Sequence, residues 1–121
     1  MSHVLIVDDS RTIRMQVRTV LEQEGLQVTE AADGKIALGL APGLNPDLII
    51  TDLNMPEMDG ISLVRALRGN ASFPRIPILI LTTVTDQEMK DKGRAAGATG
   101  WLCKPFKPDQ LKIVIQKVLG K

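Results

Sequence analysis

The chain has 121 residues, with 15 Lys and Arg against 14 Asp and Glu, a net charge of +1 and one cysteine. That length suits a single domain with one core, the balanced charge supplies no basic surface for nucleic acid, and the lone Cys103 excludes an internal disulfide or a cysteine-built zinc site and fits a reducing compartment, the cytoplasm. The longest apolar runs, VLIV and IPILIL, fall far short of the ~20 residues of a membrane span, and acids stand where a secretory signal would carry its apolar stretch, so no membrane insertion is expected.

In chain order, Val4–Val7 reads as a strand apolar on both faces and therefore central. Ser10 can then cap a helix whose Ile13, Val17, Val20 and Leu21 fall on one face. Leu26–Glu30 alternates apolar and polar residues, as an edge strand does, and a helix follows over about 33–41. Leu48–Thr51 is a second central strand, with a helix at 60–68; Ile78–Leu81 is a third, with a helix at 86–96 that Gly97 caps. The glycine-rich turn GATG leads into a short strand, Trp101–Cys103, and a last helix spans 108–119. Five strands alternate with five helices, the pattern of an α/β domain with a mainly parallel sheet, and 1–121 is expected to be one such domain.

Parallel strands joined by helices present their carboxyl ends on one edge, where the residue after each strand faces the crevice. Those positions hold Asp8 and Asp9 after the first strand, Asp52 after the third, Thr82 and Thr83 after the fourth, and Lys104 after the fifth. Asp8 and Asp9 alone admit a plain reading, acids at a helix N-terminus. The appearance of Asp52, Thr82 and Lys104 at matching strand ends favours another. Two ionised carboxylates about 4 Å apart repel by roughly 4 kcal/mol at an effective dielectric of 20. Lys104 can offset one charge, and a small divalent cation with oxygen ligands, Mg²⁺, suits the rest.

The stretches VDDS, DLNMPEMDG, LTT and KPF occur in this order across nearly the whole chain. As an ordered set they resemble the receiver domains of two-component response regulators, in particular the stand-alone chemotaxis receivers of the CheY type. The resemblance implies a doubly wound, flavodoxin-like (βα)5 fold with strand order 2-1-3-4-5. It also implies a signalling switch rather than an enzyme. Asp52 would be the phosphoacceptor, taking a phosphoryl group from a phosphohistidine of a sensor histidine kinase. Asp9, Asp52 and the backbone carbonyl of Asn54 would bind Mg²⁺ directly, with Asp8 acting largely through water. Lys104 would pair with the acids and then with phosphoryl oxygens, and Thr82 would bond the phosphoryl group and carry the signal to Trp101.

Family members usually carry tyrosine or another aromatic at the place of Trp101, so the aromatic is kept and the hydroxyl lost. A lone tryptophan on a short strand also reads as core, and its ring needs room under the fourth helix. Thr83 stands where alanine is common, which narrows access, and Lys104-Pro105 is by resemblance a candidate cis peptide. Phosphorylation is expected to reshape the surface of helix 4, strand 5 and helix 5 for a downstream target such as the flagellar motor switch, with a phosphatase as a further partner and the protein acting as a monomer. The alternatives are a phosphorelay shuttle or the receiver fragment of a larger regulator.

Other motifs fail on spacing. DLNMPEMDG begins like an EF-hand loop, but Pro56 and Glu57 occupy its fifth and sixth positions. Gly93, Gly97 and Gly100 do not match a dinucleotide fingerprint. A haloacid-dehalogenase-type phosphatase needs a second acid two residues after its nucleophile, where Asn54 stands. His3 is expected to be exposed or frayed, and Cys103 to be a small buried apolar residue.

Overall fold

The computed structural model describes residues 2–55, 57–69 and 76–120; Pro56, whose place argued against a calcium loop, lies outside them. The elements are β1 (His3–Val7), α1 (Arg11–Gln23), β2 (Gln27–Ala31), α2 (Gly34–Leu44), β3 (Leu48–Thr51), α3 (Gly60–Gly69), β4 (Ile78–Thr82), α4 (Gln87–Ala96), β5 (Gly100–Cys103) and α5 (Pro108–Leu119). All strand pairs are parallel, in the order β2-β1-β3-β4-β5. The fold is the expected doubly wound one, and its order reverses between β1 and β3, where a crevice opens beyond the strand ends.

Period-two alternation along the buried strands divides the core into two layers. Leu5, Val7, Ile49, Ile78 and Ile80 pack beneath α2, α3 and α4 through Ala37, Leu63, Val64 and Ala96. Val4, Ile6, Leu48, Ile50, Leu79 and Leu81 pack beneath α1 and α5 through Val17, Leu21, Leu111 and Ile115. Because β3 and β4 are buried at every residue, they read as continuous apolar runs rather than alternating ones.

Local capping follows the sequence. Ser10 Oγ accepts the Ile13 N–H, Asp33 caps α2 through Ile36 and Asp86 caps α4 through Glu88. Gly97 closes α4 in the left-handed region at φ 112°. The helix expected over 33–41 runs on to Leu44 with Pro42 inside it. A proline in a last turn removes one N–H bond and tolerates the helical φ, and Asn45 at φ 50° ends the helix by donating its N–H to Ala41 O at 2.9 Å.

Two expectations are corrected. Cys103 is exposed, because β5 is an edge strand and alternation puts Leu102 into the core while Cys103 lies at the strand's open end. His3 is not frayed: it opens β1, its Nε2 lies 2.7 Å from Thr29 Oγ1, and its backbone N–H donates to Asp47 Oδ2.

A charged network ties α1 to the β2 edge. Glu30 accepts Arg14 Nε at 3.0 Å through Oε1 and Arg18 Nη1 at 2.6 Å through Oε2. Burial raises the Glu30 carboxyl, but the hydrogen bonds from Arg18 and Arg14 and their charges outweigh it and hold the group below its usual value of 4.5. A pKa depressed by folding contributes stability that is complete above the unfolded value and lost as pH falls through the folded one. Glu30→Gln should therefore lower stability at pH 7 by about 1 kcal/mol, given partial solvent screening of these pairs. In urea unfolding the deficit should shrink as pH drops below 4.5; one of unchanged size at pH 3 would assign the effect to packing.

Candidate functional site

The register of β1 on β3 pairs Val7 with Thr51, so the residues that follow, Asp8 and Asp52, emerge side by side. The Asp52 N–H donates to Val7 O at 2.8 Å and fixes that juxtaposition. Each of Asp8, Asp9 and Asp52 offers a carboxylate oxygen, and the three atoms lie within 4.8 Å of one another. Lys104, carried in by the end of β5, places its Nζ 2.7 Å from Asp8 Oδ2 and 3.4 Å from Asp52 Oδ2. Its peptide bond to Pro105 is cis.

The three acids differ in how far they are committed. Asp8 is 2% exposed, and both its carboxylate oxygens are engaged, Oδ1 by the Ser10 N–H and Oδ2 by Lys104. Asp52 uses Oδ1 to accept the Leu53 N–H at 2.7 Å and turns Oδ2 toward Lys104. Asp9 is exposed, at the mouth of the cup. Three carboxylates against one ammonium suit a small divalent cation. Oxygens around one octahedral Mg²⁺ stand about 3 Å apart when adjacent and about 4 Å when opposite, and the cup gathers its three within 4.8 Å. Asn54 is exposed in the loop that follows Asp52.

That loop depends on Asp59 and Gly60. Asp59 accepts the Ser62 N–H through Oδ1, starting α3. The Gly60 N–H donates to Leu53 O at 2.7 Å, and a Cβ on Gly60 would collide with the Asp52 carbonyl oxygen. The first residue of α3 must therefore be glycine for the helix to lie this close to Asp52.

Thr82 is buried at the end of β4 and its Oγ1 accepts the Val84 N–H at 3.3 Å, whereas Thr83 is exposed. The carbonyl of the same Val84 accepts Trp101 Nε1 at 3.0 Å. One residue of the β4–α4 loop thus links the threonine to the indole. The half-buried indole packs against the core beneath α4, and the room it needs comes from Gly93, where a Cβ would stand 3.0 Å from Trp101 Cζ3 and 3.2 Å from Ile80 Cδ1.

Sequence reasoning named the acids, Lys104, Thr82 and Trp101, and it missed Gly60, Gly93 and Arg14. The first left a usable signal in Asp59-Gly60 at a helix start. Gly93 left none, since a glycine inside a helix announces no partner. Arg14 donates Nη1 to Asp8 O at 2.6 Å and Nε to Glu30. Its position one turn before Arg18 on α1, facing an acid on the next strand, was the available clue.

Residues 4–116 match the response regulator receiver domain family, and the chain belongs to that family, a class of phosphorylation-controlled signalling switches rather than enzymes. Chemotaxis protein CheY of Pseudomonas aeruginosa is 37% identical over 119 residues, covering 98% of this chain and 96% of that protein. The regulatory protein AtoC of Escherichia coli is 31% identical, but this chain spans only 25% of its length. Among solved structures, Vibrio cholerae chemotaxis protein CheY4 superposes with a TM-score of 0.93 at 47% identity, covering 98% of both chains. The receiver domain of the Pseudomonas aeruginosa sensor histidine kinase PA1611, solved with a magnesium ion coordinated in its active-site cleft, superposes with a TM-score of 0.91 at 31% identity, covering 99% of this chain and 98% of that one.

Gly93→Ala tests the indole slot. Alanine favours the helix by up to ~1 kcal/mol, while overpacking at 3.0 Å costs ~1–3 kcal/mol. The expected outcome is a lower thermal midpoint and red-shifted emission from Trp101, the only tryptophan. Unchanged emission would show that the slot has slack.

Proposed function

We propose that this chain is a receiver in which Asp52 accepts a phosphoryl group from a sensor-kinase phosphohistidine with the help of Mg²⁺. The supporting observation is the cup itself: three carboxylate oxygens within 4.8 Å, bordered by a lysine that touches two of the three acids. A carboxylate is a competent nucleophile toward phosphorus once the charge on both partners is offset, and positioning with electrostatics supplies most of such catalysis.

Asp9, Asp52 and the backbone carbonyl of Asn54 would hold the ion, and Asp8, both of whose oxygens are already engaged, would act through water. Bound there, Mg²⁺ supplies positive charge against the phosphoryl oxygens. Lys104 lies within reach of Asp52 and can move its charge from carboxylate to phosphoryl oxygen as the bond forms. Thr82 has a hydroxyl proton to donate to the same group, and its motion would release Val84, whose carbonyl holds Trp101.

The output surface is α4, β5 and α5, and the partner is a downstream signalling protein of the chemotaxis type, such as the flagellar motor switch, with a phosphatase to reset the state. The chemotaxis relatives favour this reading over a phosphorelay shuttle. On this reading the protein acts in the cytoplasm as a monomer; among the described residues no helix is long and apolar enough to cross a membrane.

Asp52→Asn should abolish phosphate incorporation from acetyl phosphate, a loss of at least ~100-fold, while the wild type should incorporate it only with Mg²⁺ present. Beryllofluoride should change Trp101 fluorescence in the wild type and not in the variant. A variant that responds as the wild type does would move the acceptor away from Asp52.

A further inference from the structure

Asp9 is exposed, yet a useful ion ligand must hold its carboxylate in one place, so something must fix the peptide that carries it. Its neighbour Asp8 is gripped at every polar atom. The Asp8 N–H donates to Ala31 O at 3.1 Å, the carboxylate takes Ser10 N–H and Lys104, and the carbonyl oxygen accepts Arg14 Nη1 at 2.6 Å. That carbonyl belongs to the peptide unit joining Asp8 to Asp9, so the direction in which it points sets where the Asp9 backbone, and with it the carboxylate, projects. Arg14 is itself held, with its side chain 16% exposed and its Nε bonded at 3.0 Å to Glu30, which Arg18 secures from the other side. The planar guanidinium therefore spans two acceptors at once, a geometry that lysine cannot copy.

We propose that Arg14 is the positioning residue of the divalent-cation site: by clamping the Asp8 carbonyl against Glu30, it aims the Asp9 carboxylate into the cup. The inference rests on the cation reading given above and goes beyond it to a residue that touches neither ion nor phosphoryl group. It also makes an unusual prediction of sign. Arg14 is a cation beside an acidic cluster, so on charge alone its removal would tighten the binding of another cation. A positioning role requires the opposite.

The experiment is titration of the unphosphorylated protein with Mg²⁺ alone, followed by isothermal calorimetry well below the thermal midpoint, for wild type, Arg14→Met, Arg14→Lys, Glu30→Gln and Arg18→Met. Loss of a residue that orients a metal ligand costs at least about tenfold in affinity, and Arg14→Met should weaken Mg²⁺ binding by about that factor. Arg14→Lys keeps the charge and should recover only part of the loss. Glu30→Gln, which frees the far side of the clamp, should weaken binding severalfold. Arg18→Met breaks the outer contact to Glu30 and leaves Arg14 on both acceptors, so its affinity should stay within about twofold of the wild type. If Arg14→Met does not fold, the Lys and Gln variants decide the matter by the same comparison.

Equal or tighter binding by Arg14→Met, or full recovery by Arg14→Lys, overturns the inference while leaving the cation site intact. A wild type that takes up no Mg²⁺ overturns the cation reading and the inference with it.

Discussion

The alignment of β1 with β3 forces like charges together, and much of the remaining structure around the crevice contains the consequence. Once Val7 pairs with Thr51, Asp8 and Asp52 have to leave the sheet as neighbours. Near 4 Å, each ionised pair of carboxylates costs roughly 4 kcal/mol at an effective dielectric of 20, comparable to a sizeable share of the net stability of a small domain. The relief comes from opposite ends of the chain. Lys104 arrives on β5, buried to 11% exposure, and bonds the most deeply buried acid. The N–H of Ser10 takes the other oxygen of that acid at the start of α1. What stays uncompensated is concentrated at Asp9 and Asp52, on the open side of the cup, where a cation or a phosphoryl group can reach it.

Containing that charge demands close approach, and close approach explains two glycines. Asp52 cannot sit under the start of α3 unless Gly60 lacks a side chain, because its backbone carbonyl occupies the place a Cβ would take. Trp101 likewise seats its ring where Gly93 leaves the surface of α4 bare. Gly93, inside α4, weakens its helix by up to ~1 kcal/mol relative to alanine, whereas Gly60 opens α3 and escapes that interior penalty.

The strands and helices were legible because the buried strands are uninterrupted apolar runs and Ser10 marks the start of α1, whereas the strand order came only from the resemblance of the ordered motifs to receiver domains. The rim was legible for a related reason: topology alone assigns the residue after each parallel strand to one edge. Side-chain partnerships across elements were not. Nothing in the spacing of Arg14 and Asp8 says that a guanidinium will take a carbonyl oxygen six residues earlier. The exposure of Cys103 was hidden because a three-residue strand shows too little alternation to reveal which face ends uncovered. The continuation of α2 through Pro42 was hidden because a proline beyond the first turn loses a helical N–H bond and crowds the carbonyl four residues earlier, which ordinarily reads as the end of a helix.

The link from rim to surface has an energetic limit that the geometry makes visible. On the proposed function, phosphorylation must act through the Thr82 hydroxyl, whose bond from the Val84 N–H is already 3.3 Å long, near the end of the useful range. A small pull toward a phosphoryl oxygen would break it and release Val84, whose carbonyl holds the indole. One charge-assisted hydrogen bond contributes ~1.5–3 kcal/mol, yet inverting a 1:99 equilibrium needs ~5.5 kcal/mol. Thr82 alone is therefore insufficient. The rest has to come from Lys104 changing partners and from the indole reseating against α4. On that proposal, the fit of the ring over Gly93 would belong to the energetics of the switch as well as to the packing of the core.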